Sequence, residues 1–543
     1  MRVDDGGRVS APDAALAGRA AARRPRAGVR GAIRRRLTAE HLVVLLLGLL
    51  VLVVHDVGYL LRQPFWTDEA WVAVTSRFPL SQLPATTSST PIGWSALLRV
   101  FTQSGDQSSR LLPLAFAGIA VLIAYWFARR LGWRQQAAGL LAGLLAGLGV
   151  LLVPAMLVRD DLKQYTADAC IALLVLALTS RLEREWSRRG LVGLSVAVWG
   201  GMLVSHAAAF VGAAAFGSLC AVQLARRAWH RLVTSAVAGV CTAALMLGVY
   251  AGFDARAVVP GLTAYWAAYY LPAAGGLHAA ITFVTVHFDA VHAYFGLGPV
   301  WLALPLVLAG LVTIFRLGRP ATAVAIAVLW PEMLAASALK KYPFLEPRTS
   351  TFLVAVTVVT AAIGTAGMCS VLRPRLKGAV PAVLAAIAVA AFVAAAQPYV
   401  RSRMIPTEDV RDQARYVAAH AARSDMILVN LGSNWGFAYY WPVGHPGRRT
   451  DSAVLQGYVA DFPAQPRIVV ARNRDSAGVN AALSQALTLA GQHPCTRIWL
   501  VRTHVLAAEE AAWRAALRHR GLSARRAGDH GLTVVQLGGS RCP

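Results

Sequence analysis

His41-Leu42-Val43-Val44-Leu45-Leu46-Leu47-Gly48-Leu49-Leu50-Val51-Leu52-Val53-Val54 decides how the rest of the chain is read. It is the centre of an apolar run over about 40–61. A helix needs about 20 such residues to cross the hydrocarbon core of a bilayer. The run is too long for a signal-peptide core and lacks a small-residue cleavage site, so it reads as a retained span. Just beyond it stands Phe65-Trp66-Thr67-Asp68-Glu69-Ala70-Trp71, a carboxylate pair among aromatic rings. Charge this close to the hydrocarbon boundary is costly and needs a reason. Thr67-Asp68-Glu69 can also start a short interfacial helix, and the two readings are compatible.

Similar runs recur over about 110–129, 136–157, 166–181, 190–205, 207–225, 232–253, 296–315, 320–339, 349–371 and 378–397. With the first, they predict a polytopic α-helical membrane protein of about eleven spans. Only 15% of the 543 residues are charged and 56% are hydrophobic, where a soluble chain carries about 25% charge. The net charge of +26 first suggests a nucleic-acid partner. The basic residues, however, sit in the N-terminal arm and in short gaps between apolar runs, a membrane-topology pattern, so no nucleic acid is expected.

Residues 1–39, with ten Arg by position 36, read as a disordered basic cytoplasmic tail. An inside N terminus puts Arg129, Arg130 and Arg134 on the cytoplasmic side of a plasma membrane. Arg181, Arg184, Arg188, Arg189, Arg226, Arg227, Arg231, Arg316, Arg319, Arg373, Arg375 and Lys377 fall on that side too. Segments 62–109, 158–165, 254–295 and 340–348 then face outward and hold most of the acidic, His and Tyr residues away from the chain ends. A membrane domain over 40–397 is followed by an extracytoplasmic one over 398–543. There, Met426–Leu431, Arg467–Val470, Arg497–Val501 and Leu532–Val535 read as buried strands. Helical stretches near 408–422, 477–491 and 506–520 complete a small α/β domain. It has no glycine-rich phosphate fingerprint. Cys495 and Cys542 could pair there if the compartment is oxidising.

The order of elements is informative. The acidic pair is followed by Thr90-Pro91-Ile92-Gly93-Trp94 and by Ser108-Ser109-Arg110-Leu111-Leu112-Pro113. Then come Asp160-Asp161-Leu162-Lys163-Gln164-Tyr165, Tyr342-Pro343-Phe344 with Arg348, and Phe437-Ala438-Tyr439-Tyr440. In that order the chain resembles the GT-C glycosyltransferases of the protein-mannosyltransferase and aminoarabinose-transferase type (glycosyltransferase family 39-type). The resemblance implies a GT-C-like helical fold with a cavity at the outer face, a polyprenyl-phosphate-linked sugar donor and a cell-envelope acceptor. It matches Asp68 to the catalytic carboxylate of the first loop. It matches Asp161, Lys163 and Tyr165 to the second-loop element, and Tyr342 and Arg348 to the late-loop element. Glu69, Arg110 and His206, the last in a Ser-His turn some relatives share, join the substrate-binding candidates. Where many relatives carry His-Pro-Pro, this chain has Ser89-Thr90-Pro91, which leaves the metal of such a site open.

The residues fit that chemistry by themselves. A positioned carboxylate can take the proton of an acceptor hydroxyl. A phosphate leaving group needs cations rather than an acid, and Arg and Lys supply them. Lys340 and Lys341 are further candidates, or snorkel to the interface. His278, His287, Asp289 and His292 are too irregularly spaced for an i, i+4 metal pair. Tyr265, Trp266, Tyr269 and Tyr270 line a groove or form an interfacial belt. Two competing classes stay open: a lipid or sugar transporter, which would more often show inverted repeats and broken spans, and a non-catalytic envelope scaffold.

Overall fold

Long apolar helices dominate the chain. The computed structural model describes residues 26–87, 90–102, 107–152, 162–255, 260–272, 274–295, 300–372, 408–443, 446–451, 454–491, 496–528 and 531–537. It divides into a unit ending at Leu50 and a second from Val51 onward; every site considered below lies in the second.

Among the described residues, six helices are long and apolar enough to cross a membrane: Ser108–Arg129, Tyr165–Arg184, Ala207–Ala225, Trp229–Asp254, Pro320–Ala338 and Thr351–Val371. The chain is a multi-pass membrane protein. Gln136–Leu152, Arg188–Met202 and Val300–Arg316 are helical, as the apolar runs predict. The run at 378–397 lies outside the described residues. Segment 254–295, read as an outer loop, contains the helix Gly276–Phe295. His278, Thr282, Thr285, His287 and Asp289 interrupt its apolar run and hide it from a hydropathy window.

Small residues bring the helices together. A Cβ on Gly310 would fall 2.0 Å from Thr360 O, and one on Gly364 would fall 2.1 Å from Leu306 O. Helices Val300–Arg316 and Thr351–Leu372 therefore touch backbone to backbone, as small residues allow in membranes. Helix Trp229–Val249 instead exposes Val233, Val237, Val240 and Leu247 along one side, a surface suited to lipid.

A small sheet lies near the C terminus. Its strands are β1 (Met426–Val429), β4 (Ile468–Val470), β5 (Arg497–Val501), β6 (Ala524–Arg526) and β7 (Thr533–Gln536), in the order β4-β1-β5-β7-β6. β4, β1 and β5 are parallel, while β7 runs antiparallel to β5 and β6. β2 (Gly447–Thr450) and β3 (Tyr458–Asp461) form a separate antiparallel ribbon. Three helices accompany the sheet: Val410–His420, Ser476–Ala490 and Ala507–His519. Successive strand residues point to opposite faces, and both faces of β1 are covered. Met426 and Leu428 join Val479, Leu483 and Trp513 in one cluster. Ile427 and Val429 join Trp435, Phe437 and Tyr458 in another, which continues into Phe65, Trp71, Val74 and Trp94. The sheet thus shares a core with the segment that follows the first apolar run.

The chain places β4 on one side of β1 and β5 on the other. In such sheets the crevice at the carboxyl ends of the two diverging strands is the usual ligand position. Here the carboxyl ends of β1 and β5 are Asn430–Ser433 and Thr503–His504, held in direct contact.

Candidate active site

Asp68 and Glu69 occupy the first turn of the helix Thr67–Arg77. Trp66, the residue before it, makes no side-chain cap bond. The cap comes from far along the chain: Glu408 Oε2 accepts from Thr67 N at 3.2 Å and from Thr67 Oγ1 at 3.1 Å. Thr67 Oγ1 also reaches Gly432 O, 2.7 Å away. Carboxylates favour this end of a helix because its free N–H groups carry partial positive charge.

Adjacent helical residues diverge by about 100°, and the two carboxylates part accordingly. Glu69 points inward onto Arg110; both are fully buried. Arg110 Nε donates to Glu69 Oε1 at 2.8 Å and Arg110 Nη2 to Glu69 Oε2. The remaining donors go to Leu60 O, Gln63 O and Pro64 O. A guanidinium can be buried only when its donors are satisfied in this way. The pair, placed by the sequence reading among the substrate-binding candidates, locks the 60–64 turn to the helix.

Asp68 points the other way and gathers two cations. Arg348 Nη1 lies 2.9 Å from Asp68 Oδ2, and Lys163 Nζ lies 3.7 Å from the same oxygen. The Asp68 and Arg348 side chains are each 20% exposed and Lys163 is 8% exposed, so the cluster is partly open. Burial raises the Asp68 carboxyl, but Lys163 and Arg348 outweigh it and hold the group below its ordinary value.

Each cation is set by its own neighbours. Trp94 Nε1 donates to Leu162 O at 2.7 Å, fixing the turn before Lys163, and the Lys163 ammonium lies 5.0 Å from the Trp71 ring centre. Arg348 also meets Tyr265 Oη at 3.3 Å and Glu346 Oε1 at 3.5 Å. Tyr165 is buried at the start of its helix. Tyr342 donates to Thr349 O at 3.0 Å and packs edge-on against Phe210. Burial pushes its hydroxyl well above the ordinary value, so it acts as a neutral donor that shapes the Arg348 turn. His206 faces Asp254 at 3.8 Å, while the preceding Ser205 donates to Asp168 at 2.6 Å. Asp161, Cys495 and Cys542 lie outside the described residues. Among the described residues, no three His, Cys, Asp or Glu side chains converge as a metal site; His287 bonds Phe283 O in its own helix.

Two residues at this centre escaped the sequence reading. His504 Nδ1 meets Glu408 Oε1 at 2.5 Å, and the His504 ring sits 6.4 Å from that of Trp66. The Glu408 hydrogen bond, ahead of other influences, raises His504 above its ordinary value.

This arrangement of helices and sheet is found in solved structures. ArnT from Cupriavidus metallidurans, bound to undecaprenyl phosphate, superimposes with a TM-score of 0.54 at 14% identity, covering 91% of this chain and 97% of that one. The chain has a GT-C-type fold. The apo state of the same protein gives a TM-score of 0.52 at 15% identity, with 92% and 98% covered. The Archaeoglobus fulgidus oligosaccharyltransferase in its apo form gives a TM-score of 0.47 at 12% identity, with 84% and 69% covered. No protein-family model and no curated protein sequence matches the chain. The fold brings together three charged residues from widely separated segments: Asp68 in the first turn of Thr67–Arg77, Lys163 just before the helix Tyr165–Arg184 and Arg348 just before the helix Thr351–Leu372.

Proposed function

We propose that this chain is an integral-membrane glycosyltransferase that moves a sugar from a polyprenyl-phosphate-linked donor to a cell-envelope acceptor. The acceptor is a glycan, lipid or protein. The observation that carries the reading is one carboxylate flanked by two cations, Asp68 with Lys163 and Arg348, within a GT-C-type fold. A protein of that fold, ArnT, binds undecaprenyl phosphate. In the proposed topology about eleven spans place the N terminus in the cytoplasm, and the reaction centre and residues 398–543 on the outer side of the plasma membrane.

In the proposed reaction Asp68 takes the proton of the acceptor hydroxyl. The acceptor oxygen bonds to the anomeric carbon as the bond from that carbon to the phosphate oxygen breaks. Lys163 and Arg348 bear the charge that develops on the departing lipid phosphate. A single displacement inverts the anomeric carbon. Before donor binds, both cations engage Asp68 and keep it a weak base. A donor phosphate draws them toward its own oxygens, and the carboxylate gains basicity once its counter-charges are shared. The base is thus strengthened only when the sugar is in place.

The test is transfer by purified protein in lipid nanodiscs, with a panel of polyprenyl-phosphate sugars and envelope acceptors. Product formed by the wild type and lost in Asp68→Asn supports the reading. Full activity in Asp68→Asn removes the proposed base.

A further inference from the structure

Glu408 and His504 form a hydrogen-bonded pair at the carboxyl ends of β1 and β5. Glu408 spends one oxygen on each neighbour: Oε2 caps the Asp68 helix through Thr67, and Oε1 holds His504. The strand ends are built tightly around them. A Cβ on Gly432 would fall 2.6 Å from Thr503 O, so only glycine lets the two strand ends approach. Ser433 Oγ and Thr503 Oγ1 lie 2.9 Å apart, and Thr503 N donates to Ser433 Oγ at 2.6 Å. Asn430 Nδ2 also donates to Thr503 O at 3.1 Å.

His504 itself has φ 49°, in the left-handed region where glycine is at ease and other residues are strained. A histidine held there beside the carboxylate of the reaction centre is an expensive choice for a loop residue. The charged groups that face it are Glu408 from the start of the sheet region, Asp68 from the capped helix and Arg474 from the loop after β4. Arg502, two residues earlier, is turned to Glu510 at 3.1 Å.

We propose that Glu408 and His504 are positioning residues for the proposed transfer, a cap and counter-charge that together set the orientation and the basicity of Asp68. This rests on the glycosyltransferase reading. Glu408 holds the first turn of the helix, and its negative charge would by itself make Asp68 harder to ionise. Imidazolium at His504 cancels that charge. The pair is a neutral cap when His504 is protonated and an anionic one when it is not.

The sign of each substitution follows. With an imidazolium facing a carboxylate in the pair, each single substitution leaves one charge unopposed. His504→Gln leaves Glu408 uncompensated beside Asp68, so the acid limb of kcat moves to higher pH by about half a unit. Glu408→Gln keeps an oxygen to cap Thr67 but leaves His504 uncompensated, so the limb moves to lower pH by a similar amount. The double variant returns close to the wild-type position. Opposite shifts support the pair; shifts of one sign, or lowered kcat with unmoved limbs, overturn it. If wild-type protein transfers no sugar from any donor offered, the transferase reading fails, and thermal melting decides the pair independently. A His pKa raised on folding adds stability below its unfolded value, and this is lost as pH rises through the folded one. Wild type should therefore melt above both variants at about pH 5 and lose that margin by about pH 9. A margin independent of pH overturns the pairing.

Discussion

Arg348 Nη1 rests 2.9 Å from Asp68 Oδ2 across a sequence separation of 280 residues. In the proposed mechanism this one contact joins the base to the cation that restrains it. If a donor phosphate competes for the guanidinium, removing the carboxylate should free both cations for the lipid. Asp68→Asn is expected to bind a polyprenyl phosphate more tightly than wild type while losing transfer by about 10²- to 10⁴-fold, the usual range for a general base. Lipid-phosphate titration alongside transfer assays reads both. Weaker lipid binding in Asp68→Asn would contradict the competition.

Arg348→Lys keeps the charge but not the planar fork. It should raise KM for the donor about tenfold or more with a smaller change for the acceptor. Lys163→Met should act in the same direction. Steady-state kinetics with each substrate varied separately decide the point; an effect confined to acceptor KM would place these cations on the other substrate.

The low Asp68 pKa has a stability consequence with a definite sign. A carboxyl depressed on folding contributes stability above its unfolded value, about 3.9. That contribution disappears as pH falls through the lower folded value. Melting curves of wild type and Arg348→Ala should therefore lie furthest apart near neutral pH and converge in acid. Curves that stay parallel would show that Arg348 stabilises by packing alone.

Glu69 and Arg110 carry a different expectation. Breaking a fully buried ion pair from one side leaves an uncompensated charge, at a cost of about 3–5 kcal/mol. Glu69→Gln and Arg110→Ala should lower melting temperature and folded yield strongly. Any protein that survives should keep its donor KM. A large KM effect in well-folded Glu69→Gln would restore the substrate contact expected from sequence.

Trp94→Phe removes the indole donor to Leu162 O while retaining most of the ring packing. The stability loss should be about 1 kcal/mol, as for a single hydrogen bond. The donor kcat/KM should fall by about tenfold, since small misplacements of a binding cation are amplified in rate. Unaltered kinetics would show that Lys163 is held by Trp71 without help from the turn.

The legible part of the fold was the part governed by hydrophobicity. Apolar runs located the helices Leu111–Arg129, Ala207–Ala225 and Pro320–Ala338 closely, because burial in lipid demands apolar side chains at nearly every position. Strand β5 was read at its observed ends, and β1, β4 and β7 to within one or two residues, because both sheet faces are covered. Short edge strand β6, exposed along its length, and the ribbon β2–β3 carry no such signal. Helix Gly276–Phe295 was hidden by its own polar residues. At the site, Asp68 stood out as a charge beside an apolar run, while Lys163 and Arg348 were picked out by the family resemblance. Nothing local distinguished Glu69 from Asp68; the helical turn that separates them does so only once the helix is placed. Glu408 and His504 were invisible because a lone Glu and a lone His in a water-facing sequence are ordinary, and their meaning comes from a tertiary contact.

The cap that Glu408 supplies to Thr67 bridges 341 positions, which orders events during biosynthesis. The ribosome delivers Asp68 to the bilayer long before it makes the acid that anchors its turn, and later still the strand ends that hold that acid. A chain halted in between inserts its early helices with the Thr67–Arg77 helix lacking this cap. Membrane insertion and the capping of the Asp68 helix are therefore separate stages, and the second waits for the ends of β1 and β5.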